Sequence, residues 1–177
     1  MTKAKERILD TASRLFHQQG YNSTGINEII AEANIAKSTL YQHFASKDQL
    51  CIAFLERRHE QWFTQLRAVV EAKERGQSQL LALFDFVMQM NEKEQYRGCS
   101  FLNILSEISV QNQSAILQVI QQHKTDLQNY IKSVTQETHA HLADHIYFLF
   151  ESAIIESQLY REQAPVLKIK NIVTSLL

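Results

Sequence analysis

The chain has 177 residues, of which 45% are hydrophobic, and carries a formal net charge of −1. This length holds one medium domain, or a small domain followed by a larger one, and the apolar fraction is enough for a sizeable core. Only four glycines and one proline are present, which disfavours a turn-rich β fold and predicts an all-α protein of long helices.

Signals for export or membrane insertion are not recognised in the sequence. The N-terminus lacks an apolar signal-peptide core, and no run of about 18 apolar residues predicts a membrane span. Cys51 and Cys99 lack CxxC spacing, which is consistent with a reducing cytoplasm. Residues 1–60 hold eight Lys/Arg and seven Asp/Glu, so any DNA binding here depends on local phosphate contacts.

The first helix is predicted over residues 3–19, where apolar side chains recur with helical spacing. Gly20 is a natural stop just beyond this helix. Thr24 is predicted to cap the second helix. The buried face of that second helix would carry Ile26, Ile29, Ile30 and Ala33.

A sharp turn and a third helix are predicted next. Asn34 tolerates the left-handed backbone conformation that such a turn requires. The third helix covers about 36–44 and would bury Leu40 and Phe44. Two short helices joined in this way form a helix-turn-helix, whose second helix enters the major groove of DNA.

A long fourth helix is predicted to begin after Ser46, because Gln49 follows three residues later and completes a capping box. Its apolar positions continue to about residue 73, and residues 74–78 are the plausible break before the rest of the chain. Further helical patterns cover 80–90, 100–110 and 114–138.

The last part of the chain is more apolar than the rest. Residues 146–159 leave no polar face over more than one turn, so this helix is expected to contact both its own core and a second surface. Pro165 separates it from a final apolar segment, 166–177, which a monomer would bury with difficulty.

Residues 3–50 resemble the TetR family of bacterial transcriptional regulators. The residues that carry the resemblance, in ungapped spacing, are Gly20-Tyr21, Thr24, Ile29, Ala33, Ile35, Lys37, Thr39-Leu40-Tyr41, Phe44, Ser46-Lys47 and Leu50. The sequence departs from the family pattern where Asn34 replaces Gly, Ala36 replaces a capping Ser, and Ile30 replaces a small residue. Loss of that cap costs about 1 kcal/mol.

The resemblance implies a domain organisation. A helix-turn-helix DNA-binding domain would occupy residues 1–46, and a larger helical regulatory domain residues 47–177, with about nine helices in total. Within the second domain, a ligand pocket would lie roughly at 60–160 and a dimer interface roughly at 142–177.

The resemblance and the chemistry of the side chains together predict DNA contacts. A hydroxyl at a helix N-terminus can bind phosphate, N-terminal residues of a recognition helix reach base edges, and a lysine supplies a compact cation to the backbone. The predicted DNA-binding residues are Thr24, Lys37, Ser38, Thr39, Tyr41, His43 and Lys47.

Cys99 allows two interpretations. The segment Arg97-Gly98-Cys99 is similar to a Gly-Cys segment at the start of the sixth helix in one subset of the family. A thiol at a helix N-terminus is more nucleophilic, so Cys99 could sense electrophiles or oxidants. The alternative is a small, half-buried packing residue, and Cys51 is expected to be packing alone.

Two further groups of residues are candidates for binding. His141 and His145 are spaced as on one helical face, with His139 nearby, but no cluster of cysteines or carboxylates completes a metal site, so solvent-facing or interface roles are favoured. The side chains that could line a ligand pocket, or equally form plain core, are Phe84, Met88, Cys99, Phe101, Leu105, Tyr130, Tyr147 and Phe150.

The predicted function is that of a dimeric transcriptional repressor which binds a near-palindromic DNA operator and is released by a small-molecule inducer. Two half-sites one or more turns apart require two recognition helices, hence a homodimer through the C-terminal helices. No cofactor is expected. An enzyme is disfavoured because no catalytic triad, paired carboxylates or phosphate loop is identifiable, and an architectural DNA protein is disfavoured by the size of the second domain.

Overall fold

A computed structural model describes residues 3–109, 111–135 and 137–177, without the side chains of 137–139. Over these residues the chain forms nine α-helices, one 3₁₀ helix and no strand, which confirms the predicted all-α class. The α-helices are α1 (Lys3–Gln19), α2 (Ile26–Glu32), α3 (Lys37–His43), α4 (Lys47–Val70), α5 (Gln77–Lys93), α6 (Ser100–Leu105), α7 (Ser114–Thr135), α8 (Ala143–Tyr160) and α9 (Ala164–Leu176). The 3₁₀ helix, Glu137–Leu142, follows α7.

The chain divides into two compact units. The first unit comprises Met1–His59 and Ser100–Gln121, and the second comprises Glu60–Cys99 and Gln122–Leu177. The first unit therefore contains α1–α3 and α6, the second contains α5, α8 and α9, and α4 and α7 contribute to both. The predicted domain boundary after residue 46 stays a prediction.

In the first unit, α1 contacts both α2 and α3. The amphipathic sequence of α1 turns one face inward, and Phe16 on that face packs its ring against Tyr21 and Phe54, with centroids 5.6 Å and 5.8 Å away. The buried residues of α1 are Ile8, Leu9, Ala12, Leu15 and Phe16. This apolar face is the support on which α2 and α3 are held.

The predicted start of α4 is confirmed. The Gln49 backbone N–H donates to the Ser46 hydroxyl at 3.1 Å, and the Ala45 N–H donates to the side-chain oxygen of Gln49 at 3.0 Å. These bonds satisfy N–H groups that a helix start would otherwise leave unpaired. The helix ends at Val70, somewhat earlier than the predicted end near residue 73.

In the second unit, α8 packs against α5 and α9, and α5 also contacts α9. Buried positions on α7 confirm the predicted apolar stripe, because Leu127 and Ile131 are fully buried and Val134 is 6% exposed. The core residues from α5, α8 and α9 are Leu80, Ala82, Leu83, Phe84, Phe86, Val87, Ile146, Tyr147, Phe150, Ala153, Ile154, Val166, Ile169 and Val173.

Two helices end earlier than their sequences predict. α6 stops at Leu105, and the Ser106 hydroxyl donates to the Asn103 carbonyl at 2.7 Å where the chain turns; residue 110, the predicted end, lies outside the described residues. α7 stops at Thr135, whose hydroxyl donates to the Lys132 carbonyl at 2.8 Å. Hydroxyls that bond preceding carbonyls compete with the helical pattern, and this favours ending the helix there.

Candidate DNA-binding surface

The turn between α2 and α3 is closed by backbone hydrogen bonds. Asn34 has φ +49°, the left-handed conformation predicted for it. The Ile35 N–H donates to the Ile30 carbonyl and the Asn34 N–H to the Ala31 carbonyl, both at 3.2 Å. This pairing is a Schellman motif, which satisfies the last carbonyls of α2 and fixes the direction in which α3 leaves.

Helix α3 is held at one side and open at the other. Leu40 is fully buried and Phe44, just after the helix, is 4% exposed, as predicted. Ala36 occupies the N-cap position without a side-chain hydrogen bond, so the missing serine is not replaced by another cap. Lys37 and Ser38 are exposed, and Tyr41 is 44% exposed, so polar groups cover the outward face.

The remaining predicted contact residues of this region, Thr39 and His43, are half-buried. Gln42, which the sequence reasoning did not single out, is exposed and lies one helical turn after Ser38. The i, i+4 spacing of Ser38 and Gln42 was a usable signal, because residues four apart share a helix face. A glutamine amide on such a face can bond the edge of adenine.

The structure corrects the role predicted for Thr24. Its side chain is fully buried, and its hydroxyl donates to the Gly20 carbonyl at 2.7 Å. Helix α2 begins at Ile26 with Gly25 at the N-cap, so the prediction that Thr24 caps it is wrong. A buried hydroxyl that is already bonded to a carbonyl is not available to a phosphate. Thr24 instead braces the turn between α1 and α2.

Lys47 is placed against an aromatic ring. Its Nζ lies 4.3 Å from the centroid of Tyr21, in cation–π geometry, and the side chain is half-buried. Burial lowers the pKa of Lys47 from its ordinary value. The Tyr21 hydroxyl in turn donates to the Asp48 carboxylate and accepts from the Gln113 amide at 3.2 Å. Lys47 is therefore a positioned cation rather than a freely rotating one.

The residues predicted to line a ligand pocket are distributed over both units. Phe101 and Leu105 belong to the first unit, and the others to the second. Phe84 and Phe150 are fully buried, with ring centroids 6.1 Å apart, so they form core. Tyr130 lines an open cavity of about 480 Å³ together with residues that include Lys73 and Arg75. Its hydroxyl is buried without a hydrogen-bond partner.

Cys99 lies in a polar cluster of the second unit. Its Sγ is 3.6 Å from the Nζ of Lys124, which also donates to both carboxylate oxygens of Glu151 at 2.8 Å and 2.7 Å. Met88 is half-buried, and Tyr147 is 8% exposed. Cys51 is fully buried, as its packing role requires, and burial raises its pKa to about 12.

The histidine group does not form a metal site in the part of the chain that the structure describes. His141 and His145 are both exposed, and no group of three or more His, Cys, Asp or Glu among the described side chains is arranged to hold a metal. The side chain of His139 lies outside those residues. Likewise, none of the helices described is long and apolar enough to cross a membrane.

The outer face of α8 and α9 is apolar, as expected from residues 146–159. Phe148 is 65% exposed and Leu159 is 66% exposed, although both are large hydrophobic side chains. The other large apolar side chains exposed on these two helices are Ile155, Tyr160, Leu167, Ile172 and Leu176. Contiguous exposed apolar surface of this kind usually marks an interaction site.

A recognition helix with a polar outward face, fixed by a tight turn to a second helix and supported by a third, defines a helix-turn-helix DNA-binding protein. Comparison with known proteins agrees. Residues 8–54 match the model of the bacterial regulatory proteins of the tetR family.

Relatives extend this match. The chain is 27% identical over 133 residues to an HTH-type transcriptional regulator in the lacX 3′ region of Lactococcus lactis, covering 74% of this chain and 67% of that one. It is 34% identical over 85 residues to the HTH-type transcriptional activator FasR of Mycolicibacterium smegmatis, covering 46% of this chain and 39% of that one.

A solved structure shares the fold over almost the full length. A TetR-family transcriptional regulator from Streptomyces coelicolor superposes with a TM-score of 0.86 at 24% identity, covering 97% of this chain and 93% of that one. The chain belongs to the TetR family and is a DNA-binding transcriptional regulator. The relatives are regulators by name and not enzymes, so the enzyme alternative is dropped.

Proposed function

We propose that this protein is a homodimeric repressor that acts in the cytoplasm, where the chromosome lies, by binding a near-palindromic operator. The observation that carries the proposal is the pairing of an outward polar recognition helix, α3, with an uncovered apolar face on α8 and α9. One recognition helix reads one half-site, and a second copy related by a two-fold axis supplies the other.

The exposed apolar face supports the homodimer. Phe148, Ile155 and Leu159 follow one another at intervals of seven and four residues, so they form one stripe along α8. Leaving such side chains in water is unfavourable by roughly 1.5–3 kcal/mol each relative to full burial. A second copy of the same face covers the stripe and presents an equivalent one in return, as a two-fold interface requires.

On DNA, the proposed division of labour separates base reading from phosphate binding. Lys37, Ser38 and Thr39 open α3, where N-terminal residues reach base edges. Tyr41 and His43 are assigned to the groove walls, and Lys47 to a phosphate through its fixed ammonium group. Thr24 is no longer included, because its hydroxyl is buried and bonded to Gly20.

Control is assigned to a small-molecule inducer bound by the helical region at residues 60–160. Trp62 supports this assignment, because it is half-buried beside a buried histidine, His123, with ring centroids 5.3 Å apart. Aromatic walls with a few polar groups are typical of small-molecule sites. The inducer needs only a higher affinity for the conformation that cannot dock both recognition helices.

Selection of fragmented source-genome DNA on the purified protein, with sequencing of what stays bound, tests this proposal. A few near-palindromic sites are expected. Recovery of single half-sites would contradict the dimer, and recovery of no specific sequence would contradict operator binding by the uninduced protein. Transcription in vitro from a recovered site then distinguishes a repressor from an activator such as the FasR relative.

A second candidate function rests on Cys99. Its thiol is partly exposed and has the Lys124 ammonium beside it, and a neighbouring cation favours the reactive thiolate. In this alternative the regulator releases DNA when an electrophile or oxidant modifies Cys99. Loss of DNA affinity after mild oxidation, absent in Cys99→Ser, supports it; unchanged affinity in both proteins contradicts it.

A further inference from the structure

An ion pair with a thiol beside it lies in the second unit. The side chains of Lys124 and Glu151 are only 15% and 13% exposed, and Glu151 accepts two hydrogen bonds from the same ammonium group. The Cys99 sulfur lies 3.6 Å from that ammonium nitrogen. A buried ion pair is weak evidence for stability alone, so a chemical role for its third member needs consideration.

We propose that Cys99 and Lys124 form a reversible covalent redox pair, in which a two-electron oxidant such as hydrogen peroxide leads to a bond between Sγ and Nζ. The inference rests on the second candidate function, the sensing role of Cys99, and specifies its product. The two atoms are already neighbours in the structure, so rotation of side chains suffices and no helix has to move.

The reaction balances in two steps. The Cys99 sulfur first attacks one oxygen of hydrogen peroxide, the O–O bond breaks, and sulfenic acid and water are formed. The uncharged amine of Lys124 then attacks the sulfenic sulfur, the S–O bond breaks, and a second water leaves. Sulfur is oxidised by two electrons and the peroxide is reduced. The protein loses two hydrogen atoms, and two equivalents of an external thiol restore the starting groups.

Glu151 supplies the base that the second step requires. An ammonium group is not a nucleophile, and the carboxylate of Glu151, 2.7 Å away, can accept its proton. Burial lowers the pKa of Lys124, but negative charge on Cys99 and Glu151 outweighs this and raises it. Oxidation of Cys99 to an uncharged sulfenic acid removes one of these charges, so Lys124 releases its proton more readily at the moment when the amine is needed.

Cys51 is the internal control. It is fully buried, and burial raises its pKa to about 12, so almost none of it is thiolate at neutral pH. The Cys99 thiol, in contrast, is partly exposed to an entering oxidant. Oxidation of the native protein is therefore expected to stop at one thiol.

Mass spectrometry of the full chain tests the inference. After treatment with hydrogen peroxide, the intact wild-type protein should be about 2 Da lighter, and dithiothreitol should restore the original mass. Proteolysis should then yield the peptide containing Cys99 joined to the peptide containing Lys124. A gain of about 16 or 32 Da without any loss of 2 Da, or a disulfide-linked dimer, overturns the inference.

Lys124→Arg is the matched variant. Arginine keeps the positive charge beside Glu151 but is not deprotonated in proteins, so it cannot form the bond. This variant should instead accumulate a sulfenic acid that dimedone traps, while Cys51→Ser should still lose 2 Da. Formation of the lighter product in Lys124→Arg overturns the inference. Circular dichroism of each variant verifies that its helices are formed.

DNA affinity measured in parallel separates this inference from the sensing function. If the lighter product forms without a change in operator affinity, the covalent pair is supported and the sensing function fails. If oxidation releases DNA equally from wild type and Lys124→Arg, with no loss of 2 Da, the sensing function is supported and the covalent pair fails.

Discussion

The carboxylate of Glu107 accepts a hydrogen bond from the backbone N–H of Asn22 at 2.6 Å, and the Asn22 side-chain amide donates to the Glu107 carbonyl at 2.8 Å. This two-point contact joins the turn after α6 to the turn between α1 and α2 within the first unit. A displacement of the first turn must therefore break two hydrogen bonds or move the helix-turn-helix with it.

The same contact predicts that Gly20→Ala is destabilising. Gly20 has φ +96°, and an added Cβ would lie 2.5 Å from the nearer Glu107 carboxylate oxygen. Strain and displacement of Glu107 should lower the free energy of unfolding by about 1–3 kcal/mol. Urea denaturation monitored by circular dichroism measures this change.

Gly25→Ala is the matched control for that experiment. A Cβ at Gly25 meets nothing within 4 Å, and its φ is −86°. Only the weaker capping by alanine at this N-cap position remains, about 1 kcal/mol or less. If the two variants are equally stable, the close approach of Glu107 to Gly20 does not constrain the fold.

Substitution of Lys47 should weaken binding to DNA of any sequence. Lys47→Ala removes one phosphate contact, so the slope of log affinity against log salt should become shallower by about one unit. Fluorescence anisotropy over a series of salt concentrations measures the slope. Because Lys47 also packs on Tyr21, Lys47→Arg is the control that keeps a cation over the ring. An unchanged slope in Lys47→Ala would remove Lys47 from the phosphate contacts.

Substitution on the outward face of α3 should change which sequence is preferred. Ser38→Ala and Gln42→Ala remove polar groups that are one turn apart and exposed. Loss of a base contact costs about 1–3 kcal/mol against the preferred base and relaxes specificity at that position, with little effect on the salt slope. Selection from randomised operators provides the measurement. If these variants and Lys47→Ala behave alike, the proposed division of labour is wrong.

A charge within the exposed apolar stripe of α8 should prevent dimer formation. In a two-fold interface Leu159→Glu buries two carboxylates, one from each copy, without partners, which is strongly unfavourable. Sedimentation equilibrium should show a monomer with reduced operator affinity. Gln89→Glu, at an exposed position of α5, adds the same charge away from the stripe and should remain dimeric. A Leu159→Glu protein that still sediments as a dimer would place the interface elsewhere.

The two cysteines should differ in reactivity toward a thiol reagent. In the native protein only Cys99 should react, whereas both should react after unfolding. Burial raises the pKa of Cys51 to about 12, so the native state favours its neutral thiol. The stability that this preference provides is complete below the ordinary pKa of about 8.5 and is lost as the pH rises toward 12. Two rapidly reacting thiols at pH 8 would show that Cys51 is accessible.

Much of the fold could be predicted because the signals are local. Helical spacing, Gly20 as a helix stop, Asn34 in the left-handed conformation and the capping box at Ser46 depend on residues within a few positions of one another. The ends of α6 and α7 could not be placed, because hydroxyl groups of Ser106 and Thr135 bond preceding carbonyls there, and sequence periodicity contains no record of that choice.

The sequence by itself determined the family, the helical class and the polar residues of the recognition helix, since these follow from spacing along one chain segment. The tertiary structure alone decided that Thr24 is buried, that Glu107 bonds to Asn22, and that Lys124 lies beside Cys99. The physical reason is separation along the chain. Contacts between residues tens of positions apart depend on how helices pack, and no local pattern specifies which side chains then meet.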